Sequence, residues 1–120
     1  MHELSIMKSL FRILTEKAIK ARAQRIRSIT ICIGRFSGIE PDLLHSAFMA
    51  ISKETLAEGA QFHIINKPLQ IECSRCGTLQ IKDPQIPFAC PKCGNKNIRF
   101  EPNDELMVEN MEVEIANSNL

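Results

Sequence analysis

The chain contains no tryptophan and no tyrosine, and six phenylalanines are its whole stock of large aromatic side chains. That weighs against reading single-stranded nucleic acid by stacking, which uses aromatic platforms in series. Charge of either sign is not in excess: the formal net charge is +1 and the pI about 7.7. No global field therefore draws in a polyanion or an acidic membrane. No apolar run approaches the roughly 20 residues that span a bilayer, and no repeat or low-complexity tract is present. A serine, cysteine and histidine constellation for covalent catalysis is also missing, so the parts of an enzyme are not visible. At 120 residues the chain has room for one ordinary domain, or for a small core domain plus a metal-stapled module. The second organisation fits better.

The reason lies between Cys73 and Cys93, where C-S-R-C-G and C-P-K-C-G close one loop. In each Cys-x-x-Cys pair the intervening residues form a tight knuckle. The glycine behind it, Gly77 or Gly94, is able to take the left-handed conformation that turns both sulfurs toward one point. Four thiolates in tetrahedral array suit Zn²⁺, with iron as the main competitor, and leave no open coordination position. Such a site is structural. Two disulfides are the alternative, but the knuckle geometry and the lack of a secretory signal favour metal. Reduced cysteines point in turn to the cytoplasm. Arg75 and Lys92, between the ligands, offset part of the negative charge of a four-thiolate zinc. A fifth cysteine, Cys32, has no partner motif and reads as a small, partly buried side chain.

Around this module the hydropathy pattern predicts an α+β fold. From Glu3 to Ala23, Leu4, Met7, Phe11, Leu14, Ala18 and Ala21 recur at helical spacing, and Ile6, Leu10, Ile13 and Ile19 widen the face. Ile29, Ile31 and Ile33 then alternate with polar residues as in a strand buried on one face. Pro41 starts a second helix, predicted to run to Lys53 or beyond, with Leu44, Ala47, Phe48 and Ile51 inward. His45 and Met49 fall on its outer side, where solvation explains them better than metal binding, and His63 points outward from a second strand over Gln61–Asn66. Lys67 and Pro68 mark entry to the metal module, whose small strands are expected at Thr78–Ile81 and Asn97–Phe100. After Pro102 a last strand, with a bulge near Glu109 and Asn110, returns beside the first. The expectation is two helices packed on a three-stranded sheet, formed by 1–68 with 102–120, and an inserted zinc ribbon over 69–101.

Met1-His2-Glu3 has a specific chemistry of its own. A terminal amine, the amide nitrogen of His2 and its imidazole close fused chelate rings in one plane, and Glu3 offers its amide nitrogen or its carboxylate as a fourth donor. Planar nitrogen donors suit Ni(II) or Cu(II). Protons must be displaced from amine and amides, so affinity falls steeply as pH drops. An exposed, easily vacated site of this kind suits a carrier.

These segments together resemble the HypA/HybF family of nickel chaperones in nickel-iron hydrogenase maturation. The likeness rests on Met1-His2-Glu3-Leu4-Ser5-Ile6, I-G-R-F-S-G-I-E-P before the second helix, T-L-A-E-G-A after it, and the two cysteine knuckles. It covers essentially the whole chain. The resemblance implies that Ni²⁺ is cargo bound by His2, with Met1 and Glu3 contributing through amine or backbone nitrogens. It implies that Cys73, Cys76, Cys90 and Cys93 hold a structural Zn²⁺. It also implies a GTPase accessory partner, delivery to the hydrogenase large subunit, in some organisms to urease, and a monomer or homodimer. Arg35 and Phe36 replace a more usual acidic-aliphatic pair, which bears on partner choice. The competing readings are a zinc-ribbon nucleic-acid or protein-docking module and a rubredoxin-like iron protein. Salt-sensitive nucleic-acid binding would mark a nucleic-acid module, and red colour the iron protein.

Overall fold

A computed structural model of the chain describes residues 2–82, 85–103 and 105–115. Helix α1 (His2–Lys20) leads into strand β1 (Ala23–Gly34), helix α2 (Pro41–Ile51) and strand β2 (Gln61–Lys67). Strands β3 (Leu69–Cys73), β4 (Gly77–Ile81), β5 (Ile98–Phe100) and β6 (Leu106–Ile115) follow. They form two three-stranded sheets, in the orders β2-β1-β6 and β4-β3-β5. The last strand thus lies beside the first, as the hydropathy pattern requires.

Two compact units result. The first comprises the described residues through Ile31, Ile39–Ile65, and those from Met107 on. Its core is the inner face of α1 (Met7, Leu14, Ala18), that of α2 (Leu44, Phe48), and Ile26, Ile29, Ile31 and Phe62 from the sheet. Phe48 stacks on Phe62 with ring centroids 4.5 Å apart, and Phe11 tilts against Phe48 at 6.3 Å. The buried stripe of α1 is narrower than its hydropathy suggests. Ile13 and Ile19 are 48% and 62% exposed, because only one side of the helix is covered. Helix α2 stops at Ile51 with Ser52 as its cap, and Thr55 and Ala57 turn the chain toward β2. His45 and Met49 lie on its exposed side, with the His45 ring edge-on to Phe62 at 6.0 Å. Within the sheet Arg27 pairs with Glu114 at 3.3 Å and Ser28 donates to Glu112 at 2.7 Å, so β1 and β6 run antiparallel. Partial burial in β6 shifts from Leu106 to Met111 and Val113, a change of parity along the strand.

The second unit comprises Cys32–Gly38 and Asn66–Leu106. Strand β3 is its centre, and it was not anticipated: Pro68 separates β2 from β3 by a single residue instead of ending strand structure. Leu69, Ile71 and Cys73 are buried while Glu72 is exposed, the alternation of a half-covered strand. Leu69 and Ile71 make a small core with Ile81, packed by Leu79 and Ile98.

The loop after β1 belongs to this unit through one buried residue, Asn103, only 3% exposed. Its Oδ1 accepts from the backbone N–H groups of Arg35 and Phe36, and its carbonyl accepts from Phe36 at 2.7 Å. Its Nδ2 donates to the carbonyls of Pro68 at 3.0 Å and Lys67 at 3.5 Å. One amide therefore ties three chain segments together. Replacing Asn103 by Ala removes the side-chain partner of these partly buried backbone groups, and is expected to lower the stability of this unit by about 1–2 kcal/mol. Amide exchange at Arg35 checks this, because the Phe36 N–H keeps its bond to the backbone carbonyl of residue 103; unchanged protection at Arg35 would show that the clamp is not needed.

Candidate metal centre

The four cysteines of the paired knuckles converge as their spacing predicts. The Sγ atoms of Cys73, Cys76, Cys90 and Cys93 all lie within 4.8 Å of one another. Strand β3 delivers Cys73, and Gly77, paired opposite it in β4, takes φ +83° to reverse the chain behind Cys76. The second knuckle closes on itself. The Gly94 N–H donates to the Cys90 carbonyl at 2.8 Å, with Gly94 at φ +77°, and the Cys90 N–H donates to the Asn95 carbonyl at 2.8 Å. A side chain at either glycine would be strained in that left-handed conformation.

The sulfur spacings test the fit. Cys73 Sγ is 3.6 Å from Cys93 Sγ, and Cys90 Sγ is 4.0 Å from Cys76 Sγ. Both are far longer than a disulfide bond, about 2.05 Å. They bracket the edge of a tetrahedron whose centre-to-sulfur distance is about 2.3 Å, an edge of about 3.8 Å. The donor set therefore fits Zn²⁺. Donors from outside the ligand set help: the Arg75 N–H points to Cys73 Sγ at 3.4 Å. Asn95, held by Ser74 Oγ at 2.8 Å, lies 3.9 Å from the same sulfur. Cys32, half-buried in β1, is not part of the cluster.

Electrostatics divides the thiols. Backbone N–H donation from Cys76, and next from Arg75, outweighs burial and lowers the Cys73 thiol to about 6. Hydrogen bonding with Cys93, and then burial, makes the Cys76 thiolate costly and pushes its thiol up to about 12, the charge on Cys73 adding the smallest share. A divalent cation reverses that cost. Zinc binding near pH 7 must consequently expel the Cys76 proton.

The amino-terminal residues are placed only in part. Met1 and the His2 side chain lie outside the described residues, while the backbone of His2 opens α1. Glu3 is defined, and its role is not one the sequence suggested. It is buried at 7% exposure, and its Oε2 accepts the Glu40 N–H at 3.1 Å. Glu40 is the N-cap residue of α2 and its own side chain makes no capping bond. The Glu3 carboxylate thus serves the α2 N-terminus from another helix, complementing its dipole.

Comparison with known proteins agrees with the site. Residues 1–113 match the family model described as HypA, hydrogenase/urease nickel incorporation, metallochaperone. The hydrogenase maturation factor HypA of Alkalilimnicola ehrlichii is 32% identical over 114 residues, covering 95% of this chain and 100% of that protein. That of Synechococcus elongatus is 34% identical over 113 residues, covering 94% and 99%. The solution structure of the Ni metallochaperone HypA from Helicobacter pylori superposes with a TM-score of 0.64 at 26% identity, covering 95% of this chain and 98% of that one. A metallochaperone carries its ion without transforming a substrate. On its sequence, its fold and its cysteine cluster, this chain belongs to the HypA family of nickel metallochaperones of hydrogenase maturation.

Proposed function

We propose that the chain carries Ni²⁺ on its first residues while Cys73, Cys76, Cys90 and Cys93 hold a permanent Zn²⁺ that shapes the ribbon over 69–101. Nickel is cargo, bound by the His2 imidazole with nitrogens from Met1, His2 and Glu3, within the α/β portion formed by 1–68 and 102–120. One observation carries the choice of nitrogens: α1 begins at His2. The first four N–H groups of a helix have no intrahelical acceptor, so the amides of His2 and Glu3 are able to lose their protons without breaking the helix. The buried Glu3 carboxylate is engaged at Glu40, which favours its backbone nitrogen over its side chain as donor. The positive end of the helix dipole repels a cation. Deprotonated amides answer that repulsion, and a drop in pH or a competing thiolate removes the ion easily.

The expected recipients follow from the resemblance: a nickel-handling GTPase accessory protein, then the nickel-iron hydrogenase large subunit, and urease maturation proteins where they exist. The cytoplasm is the expected compartment. Calorimetry with Ni²⁺ on native protein and on protein with residues placed before Met1 tests the terminal-amine ligand. The extension is expected to weaken binding by at least about tenfold, since an amide in place of an amine must be deprotonated; equal affinity would remove the amine from the site.

A further inference from the structure

Between the two knuckles the chain does something a structural zinc loop does not require. After Ile81, buried in the core of the unit, and before Cys90, the loop turns an apolar group outward. Phe88 is 94% exposed and Ile86 45% exposed. With Pro87, Pro91, Gln80 and Lys82 they line an open cavity of about 490 Å³. Pro87 and Pro91 restrict the backbone on either side of Phe88, so the ring is displayed on a stiffened loop. An exposed apolar group with a polar border is the usual signature of an interaction surface.

Charge indicates the occupant. From Cys73 to Lys96 the sequence carries four cations outside the zinc ligands, Arg75, Lys82, Lys92 and Lys96, against one acid, Asp83, which lies outside the described residues; Lys82, Lys92 and Lys96 are exposed and Arg75 is half-buried. Lys82, at the edge of the cavity, has no ion-pair partner among the described residues. A complementary surface needs an apolar side chain to meet Phe88 and Ile86, and a carboxylate to meet Lys82, the charged residue of the lining. Nucleic acid would answer the charge but not the apolar part of the wall, Ile81, Ile86, Pro87 and Pro91, which leaves Phe88 as a single ring for stacking.

We propose that Ile86, Pro87 and Phe88, with Lys82, form a docking site for a partner-protein segment that carries an apolar side chain flanked by acidic residues. Neither Lys82 nor Phe88 belongs to the cysteine cluster or to the first three residues, so variants there are expected to leave metal content intact. The test is selection of random phage-displayed peptides on full-length, zinc-loaded protein, followed by affinity measurement on the synthesised winners. Enriched peptides are expected to pair an aromatic or aliphatic residue with Asp or Glu. They should bind Phe88→Ala at least about tenfold more weakly, as an exposed aromatic anchor implies. Lys82→Glu should reduce binding of the acidic peptides, with the zinc content of both variants unchanged. No enrichment over blank support, winners lacking acidic or apolar residues, or affinities indifferent to Phe88→Ala would overturn the proposal. Tighter binding of a thymidine oligonucleotide, lost in Phe88→Ala, would likewise overturn it.

Discussion

Removing zinc, by a strong chelator or by Cys90→Ser, is expected to melt strands β3, β4 and β5 while α1 and α2 persist. The fully or nearly buried aliphatic side chains of that sheet are Leu69, Ile71 and Ile81. Each contributes about 1.5–3 kcal/mol on burial, too little to order so long a segment when backbone fixation alone costs about 1 kcal/mol or more per residue. Metal binding is the largest single favourable contribution to this unit, on the order of 10 kcal/mol for a structural zinc. Helices α1 and α2 draw on another core, that of Met7, Leu14, Leu44 and Phe48, which contains no metal ligand. Amide exchange resolves the two: protection at Ile71 and Ile81 should vanish on chelation, and protection at Leu14 and Phe48 should remain. Loss at all four positions would make zinc a determinant of the entire chain.

Nickel should respond to different residues. His2→Ala removes the only imidazole within the first residues and with it the closing chelate ring, so nickel affinity is expected to fall by at least about a hundredfold, the worth of a few kcal/mol of coordination. Glu3→Gln is the sharper variant. It keeps the backbone nitrogen and retains an oxygen able to accept from Glu40, so nickel affinity should change by less than about threefold, with at most about 1 kcal/mol of stability lost. Titration by calorimetry measures both constants. A loss for Glu3→Gln as large as that for His2→Ala would make the carboxylate a ligand and require it to leave the α2 N-terminus.

What the chain discloses before folding depends on how local the signal is. The zinc ligands are legible because two short spacings contain nearly all their geometry, including the glycines whose positive φ the structure realises at Gly77 and Gly94. The inner face of α1 is legible from its period, but its width is not. Whether Ile13 and Ile19 are covered depends on what the rest of the chain places beside them. Strand β3 is announced by the alternation of L-Q-I-E-C, but Pro68 immediately before it signals an end to strand pairing, and the two local signals conflict. Asn103 leaves no pattern at all. Its partners at Arg35, Phe36, Lys67 and Pro68 are backbone groups more than thirty residues away. The Glu3 carboxylate is similar: it looked like a fourth donor beside His2, and folding gives it a helix terminus to cap.

The most direct measurement is metal content after exposure to excess Ni²⁺ and desalting, on native protein and on His2→Ala. Two separate environments predict one zinc per chain in both proteins, with nickel retained by the native chain alone. Equal nickel in both, or nickel gained only as zinc is lost, would mean that the cysteines and not the amino terminus carry the cargo.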